Sequence, residues 1–233
     1  MATTRFGNLR IRFDERVLRP RAWTLAQSRW AAELSGQVPG GPLLELFAGV
    51  GHIGLAAASM AGRDLVLVDA DAHACRHARR NVADAALPVR VDVRHGPVDA
   101  VLGPGERFPL ILADPPWVPS QETARYPEDP VPAIDGGADG LDVARTCLAV
   151  MGRHLGPAGA AVLQLGDEAQ VARLEDHLRA HPRIGLRVVE VRRVERANGI
   201  LVELRHAGQD PSVVGRPACC HAAQPPERFT TRS

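Results

Sequence analysis

Apolar residues along this chain fall into two alternating patterns. The short runs LLELF (43–47), DLVLVDA (64–70), LILAD (110–114) and AAVLQL (160–165) read as buried strands, and VRVDV (89–93) joins them by its alternation. Between the runs, apolar positions recur every three to four residues. That period predicts helices over about 22–35, 72–86, 141–154 and 168–180, and one more opening out of the glycine loop AGVGHIGLAAASMA (48–61). LRVVEVRRV (186–194) and ILVELRH (200–206) flank the turn ANG and predict an antiparallel hairpin. Near the start, FGNLRIRFDERVL (6–18) alternates well enough for a short hairpin around Asp14-Glu15. Strands alternating with helices imply an α/β fold: an open, mostly parallel sheet with helices on both faces. The expected organisation is a hairpin and helix at 1–36, one main domain at 37–207, and a Gly/Pro/Ser/Gln-rich tail at 208–233 whose composition predicts disorder.

Composition then narrows the partners. A formal net charge of +1 gives no broad electrostatic footprint for nucleic acid or membrane. Every one of the 28 basic residues is Arg, which excludes lysine-based catalysis. The N-terminus MATTRFGNLRIRF has no apolar signal core, and no apolar run approaches the ~20 residues of a membrane span. The four cysteines form neither a CxxC pair nor a disulfide framework, so a soluble cytoplasmic protein is expected. Cys219-Cys220-His221 lacks the usual zinc spacing and is read as a coincidence of the tail. His52, His73 and His77 are read as helix-surface residues without metal-ligand spacing, and no metal is expected.

The chemistry gathers where LILAD runs into Pro115-Pro116-Trp117. Two consecutive prolines cannot continue a strand's ladder, because neither has an N–H to donate. The proline-rich loop that follows, to about Gly140, is long for a compact domain, and such loops are usually functional or disordered. In open parallel sheets ligands bind beyond the carboxyl ends of the strands, so this turn and the glycine loop should share one edge. Gly49-x-Gly51-x-x-Gly54, with Asp69 some 20 residues on, matches the dinucleotide fingerprint. The same spacing also describes a small-residue turn that lets a helix pack closely on the sheet. Glu45 discriminates between ligands: a carboxylate there opposes a pyrophosphate but suits S-adenosylmethionine, which carries a sulfonium and an ammonium group. Asp69, ending its strand, can accept from both ribose hydroxyls, while Asp71 is better placed to meet the helix dipole.

With these residues in hand, the chain resembles the class I S-adenosylmethionine-dependent methyltransferases, and within them the catalytic domain of the HemK-type release-factor glutamine methyltransferases. The family's VLIPRPET segment is VLRPRAWT here (17–24), NPPYIP is DPPWVP (114–119), and LDGGxDGLD is IDGGADGLD (134–142). Its Asp-x-x-x-x-Ala…Ala-x-x-Asn pattern is carried by Asp69, Ala74, Ala78 and Asn81. The resemblance implies a Rossmann-like, seven-stranded, mostly parallel sheet whose last strand is antiparallel. It also implies S-adenosylmethionine contacts from Glu45, Phe47, Ala48, Gly49, Gly51, Asp69, Ala70 and Asp114. Three departures stand out. Asp114 and Trp117 replace the family's Asn and Tyr. Pro97 falls where the family has an adenine-binding acid, with Asp99 or His95 as substitutes. VLRPRAWT begins at Val17, without the helical domain that docks release factors.

Methyl transfer to an amide or exocyclic amine needs the nitrogen held in line and its N–H groups accepted as positive charge develops. Asp114 and the Pro115 carbonyl offer two acceptors, Pro115 and Pro116 fix their direction, and Trp117 offers a face for a planar or cationic group. Asp114, Pro115, Pro116 and Trp117 are therefore the expected catalytic turn. Arg21 and Thr24 are expected to shape the substrate pocket, with a helix N-cap the other reading of Thr24. DGGADG (135–140) is a turn that either closes the loop onto the next helix or covers the substrate. The acceptor implied by resemblance is a protein glutamine-type amide. A small molecule and a flipped nucleic-acid base are the alternatives, and a cofactor-binding module without catalysis remains open.

Overall fold

The computed structural model describes residues 1–194 and 199–208. Ala197 and Asn198 of the predicted turn, and the tail with Cys219 and Cys220, lie outside the described residues. The chain opens with an antiparallel pair, Ala2–Phe6 (β1) and Leu9–Phe13 (β2). Its register joins Phe6 to Leu9, so the turn is Gly7-Asn8 and not the expected Asp14-Glu15. Gly7 takes φ +59°, a left-handed conformation that costs glycine little. Asp14 instead folds back on its own loop, accepting from the Arg16 N–H at 3.1 Å and the Arg16 guanidinium at 2.8 Å. A 3₁₀ turn at Ala22–Thr24 leads into Leu25–Ser35 (α1).

The rest is one sheet. Its strands are Leu43–Leu46 (β3), Leu65–Asp69 (β4), Val91–His95 (β5), Phe108–Ala113 (β6), Leu155–Leu165 (β7), Leu186–Arg193 (β8) and Ile200–His206 (β9), in the order β5-β4-β3-β6-β7-β9-β8. The pairs from β5 to β7 are parallel, and β9 runs antiparallel to both its neighbours. β5 starts two residues after VRVDV begins, and β7 starts well before AAVLQL. Helices His52–Ala61 (α2) and Ala72–Ala85 (α3) join α1 on one face; a short helix, Val131–Ile134 (α4), lies in the long loop, and Asp142–His154 (α5) and Glu168–Ala180 (α6) cover the other face.

Side chains alternate between two buried clusters. Leu43, Leu65, Leu67, Leu110, Leu112, Ala160 and Val162 share a core with α1, α2, α3 and the hairpin residues Phe6, Leu9 and Ile11. Leu44, Leu46, Val68, Ile111, Ala113 and Leu163 face α5 and α6. Because the strand period is two, Glu45, Asp69, Asp114 and Gln164 all belong to the first face. Glu45 shares a register row with Leu67, Leu112 and, through β6, Val162. Two residues further along their strands come Asp69 on one side of β3 and, on the other, Asp114 and Gln164 as neighbours.

The hairpin is held to α3 by Asn81, which is fully buried. Its Oδ1 accepts from the Arg12 N–H at 2.8 Å, and its Nδ2 donates to the carbonyls of Arg12 (3.1 Å) and Val50 (2.9 Å). Asn81→Ala strands these backbone groups and is expected to lower stability by about 2–4 kcal/mol in urea unfolding. A loss below about 0.5 kcal/mol would show that the joint does not depend on this amide.

Candidate active site

β3 ends in a strained exit. Phe47 has φ +58°, a left-handed conformation that a bulky residue rarely adopts, and its side chain packs into the α5 and α6 face. That reversal removes a large side chain from the row between Asp69 and Asp114. Ala48 donates to the Val68 carbonyl at 3.0 Å, which fastens the loop to β4, and Gly51 donates to the Ala48 carbonyl at 2.7 Å. Gly49 (φ +53°) donates its N–H to Asp69 Oδ2 at 2.7 Å, and Asp71 donates to Asp69 Oδ1 at 2.8 Å. Two of the carboxylate's roughly four lone-pair sites are used, so room for two hydroxyl donors remains.

Glu45 is 1% exposed, and its Oε2 accepts from the Gly54 N–H at 2.9 Å. A Cβ at Gly54 would collide with that oxygen and lie 2.9 Å from Leu67. The third glycine of the fingerprint therefore makes way for the Glu45 carboxylate rather than for a pyrophosphate. Burial raises the pKa of Glu45 well above the ordinary carboxylate value, and the nearby charges of Asp114 and Asp69 push the same way. Burial likewise raises the pKa of Asp69, and raises that of Asp114 to about 7. This edge therefore favours a cation. Ala70 lies beside it, and its carbonyl is 3.1 Å from His95 Nε2. Of the two substitutes considered for Pro97, His95 sits in register with Asp69, while Asp99 lies exposed in the following loop.

Beyond β6 the turn Asp114–Trp117 walls a cavity of 370 Å³, also lined by Arg21, Trp23, Thr24, Tyr126, Asp129 and Gln164. The turn's backbone is clamped. Val118 donates to Ile134 (2.9 Å) and accepts from Gly136 (2.8 Å), and Gln170 Nε2 donates to the Trp117 carbonyl at 2.8 Å. Gly140 has φ +75° and lies directly under that carbonyl. DGGADG thus closes the loop onto the turn itself. The Arg21 guanidinium reaches across to Asp129 Oδ1 at 2.6 Å, joining VLRPRAWT to the loop. Thr24 makes no N-cap hydrogen bond; its hydroxyl donates to the Arg21 carbonyl at 2.9 Å.

The histidines depart from expectation. His77 is 1% exposed, with Nε2 3.2 Å from Asp14 Oδ2, and His73 Nε2 lies 3.0 Å from both Asp14 oxygens. Arg16 bonds to the same carboxylate and, with the imidazoles, holds Asp14 far below the usual carboxylate range. These contacts join the loop after β2 to α3. His52 Nδ1 is buried, and burial lowers the pKa of that ring to about 3. No sequence spacing ties Tyr126 or Asp129 to the turn, whereas Trp23 sits between Arg21 and Thr24 in VLRPRAWT. Gln164 does leave a trace, as a polar residue inside an apolar strand.

The family model described as "Conserved hypothetical protein 95" matches residues 15–126. A release factor glutamine methyltransferase of Gloeobacter violaceus is 32% identical over 171 residues, covering 71% of this chain and 59% of that protein. A ribosomal protein uL3 glutamine methyltransferase of Bradyrhizobium diazoefficiens is 34% identical over 166 residues, covering 66% of this chain and 52% of that protein. Among solved structures, the hMettl16 catalytic domain in complex with MAT2A 3'UTR hairpin 1 superposes with a TM-score of 0.68 at 18% identity, over 90% of this chain and 77% of that one. The fold is that of the class I S-adenosylmethionine-dependent methyltransferases, and in sequence the chain resembles the glutamine methyltransferases. It spans between half and three-fifths of the length of these two curated relatives. M. jannaschii TYW2 in complex with AdoMet is a more distant methyltransferase-fold neighbour, with a TM-score of 0.56 at 11% identity, over 87% of this chain and 83% of that one. Among the described residues, no helix is long and apolar enough to cross a membrane.

Gln170 tests the clamp. It also accepts from the Gly166 N–H at 2.8 Å. Gln170→Leu is expected to cost about 2–4 kcal/mol, because a buried carbonyl and N–H lose their partners. Trp117 stacks over Gly166, so its fluorescence should report the loosening, and an unshifted emission would show that the turn stands without this side chain.

Proposed function

We propose that this protein is an S-adenosylmethionine-dependent methyltransferase that N-methylates a planar amide, with a protein glutamine side chain as acceptor. The observation that carries the reading is the placement of Asp69, Glu45 and Asp114 at three adjacent strands of one sheet face, with Asp114 also lining the cavity bounded by the proline turn. The curated relatives, which are named as glutamine methyltransferases, support the acceptor class.

The residues fit the cofactor. Asp69 has lone pairs left for ribose hydroxyls, Glu45 and Asp114 are carboxylates taken out of water that a cation would relieve, and Phe47 turns its side chain away from the space between them. Bound S-adenosylmethionine supplies a methyl group activated by its sulfonium. The chain supplies orientation and a proton acceptor. Asp114 and the Pro115 carbonyl accept the amide's two N–H groups, which aims the nitrogen. As that nitrogen gains positive charge its N–H becomes acidic, and Asp114 takes the proton. A pKa near 7 suits that transfer at neutral pH.

Binding and turnover measurements test the reading. Asp69→Ala should abolish S-adenosylmethionine binding by calorimetry, and unchanged affinity would remove Asp69 from the cofactor site. With labelled cofactor and either a release factor or uL3 as acceptor, Asp114→Ala should keep measurable cofactor binding through Asp69 but lose on the order of 10²-fold or more in kcat. The anionic form of Asp114 is the competent one, so wild-type kcat/KM for the cofactor should rise as pH climbs through about 7. Asp114→Asn keeps an acceptor oxygen and should flatten that rise; an unchanged pH profile would sink the proton-acceptor role. Label that entered only RNA in the same assay would instead identify a nucleobase acceptor.

A further inference from the structure

We propose that Gln164 is the acceptor-recognition residue, pairing its own amide edge with the edge of the substrate carboxamide; this rests on the methyltransferase reading above. Gln164 is 1% exposed, and neither its Oε1 nor its Nε2 has a hydrogen-bond partner among the described residues. A primary amide taken out of water with both its donor and its acceptor unmet is costly, and strands of an apolar core normally exclude it. Here it faces the 370 Å³ cavity shared with Asp114 and Trp117. The pairing of Ala113 with Leu163 puts the next residues, Asp114 and Gln164, at neighbouring strand ends on one face.

A carboxamide fits that arrangement, and so does the acceptor–donor edge of an adenine; the glutamine methyltransferases among the relatives favour the carboxamide. A carboxamide presents a carbonyl oxygen and a syn N–H along one edge, and an anti N–H on the other side. Gln164 Nε2 donates to the carbonyl while its Oε1 shares the syn N–H with the Pro115 carbonyl, and Asp114 accepts the anti N–H. A carboxylate offers no N–H to Oε1, so glutamate and aspartate side chains are rejected by an unmet buried acceptor. The pair also fixes the amide plane, which sets the direction in which the nitrogen presents its lone pair. Trp23, Trp117 and Tyr126 line the same cavity, and their flat faces suit the aliphatic stem and plane of such a group.

The test uses the full chain saturated with S-adenosylhomocysteine, with N-acetyl-glutamine methylamide as probe and N-acetyl-glutamate methylamide and 9-methyladenine as counter-probes. The expected result is that only the glutamine probe shifts the side-chain amide resonances of Gln164. Gln164→Leu should weaken probe binding tenfold or more with S-adenosylhomocysteine affinity unchanged. In turnover on a release factor or uL3, the loss should fall mainly on KM. If Gln164→Leu does not fold, Gln164→Met keeps the length but removes both donor and acceptor, and the same weakening is expected. Equal probe affinity in wild type and variant would overturn the role of Gln164 and leave the methyltransferase reading standing. Binding of 9-methyladenine in place of the glutamine probe would overturn the carboxamide acceptor, and failure to bind S-adenosylhomocysteine at all would overturn the underlying reading first.

Discussion

Removing a carboxylate from water is costly unless hydrogen bonds or a cation replace the lost hydration, and three acids on adjacent strands multiply that cost. Glu45 is the extreme case, with one backbone N–H as its partner. Much of the local sequence follows from accommodating it. Gly54 must lack a side chain because Glu45 Oε2 occupies that space, and α2 must therefore begin close against β3 and β4. Phe47 must leave the row, which it does through a conformation unfavourable for its type. The edge is thus built against its own electrostatics, as sites that receive positive charge commonly are.

The parallel core is legible because its apolar runs, bounded by turn residues, are too brief for buried helices, and the order of strands and helices then leaves one sheet. The edge shared by the glycine loop and the proline turn follows from that order alone. The hairpin turn is harder to place because FGNLRIRFDERVL alternates on both sides of two polar pairs, and alternation does not say which pair turns. Gly7-Asn8 wins through backbone freedom, and Asp14 is drawn away by Arg16, His73 and His77. Those histidines read as surface residues because nothing local reveals that a loop some 60 positions earlier covers them. β7 exceeds its apolar run because the pairing of Phe108 with Leu155 extends it past Pro157 and Gly159.

In the site, the residues carried by motifs are legible and those carried by the cavity are not. Asp114, Glu45 and Asp69 sit at strand ends, where sequence order fixes their neighbours. Tyr126 and Asp129 come to the cavity on a loop that Arg21 bridges, through an ion pair between residues 108 positions apart. Gln164 lies in plain view as a polar interruption in AAVLQL, but its meaning depends on which face of the sheet it joins.

The clamp on the proline turn has an evolutionary consequence. Its position is set almost wholly through main-chain atoms: the carbonyl of Trp117, and the N–H and carbonyl of Val118. Trp117 still packs over Gly166, but the Asp114 side chain is thereby released from holding the loop in place. A lineage can exchange the residue at 114, and with it the group that is welcomed, while these main-chain clamps stay as they are. Such a turn is a socket whose fitting can be replaced, which is how one architecture comes to serve many acceptors.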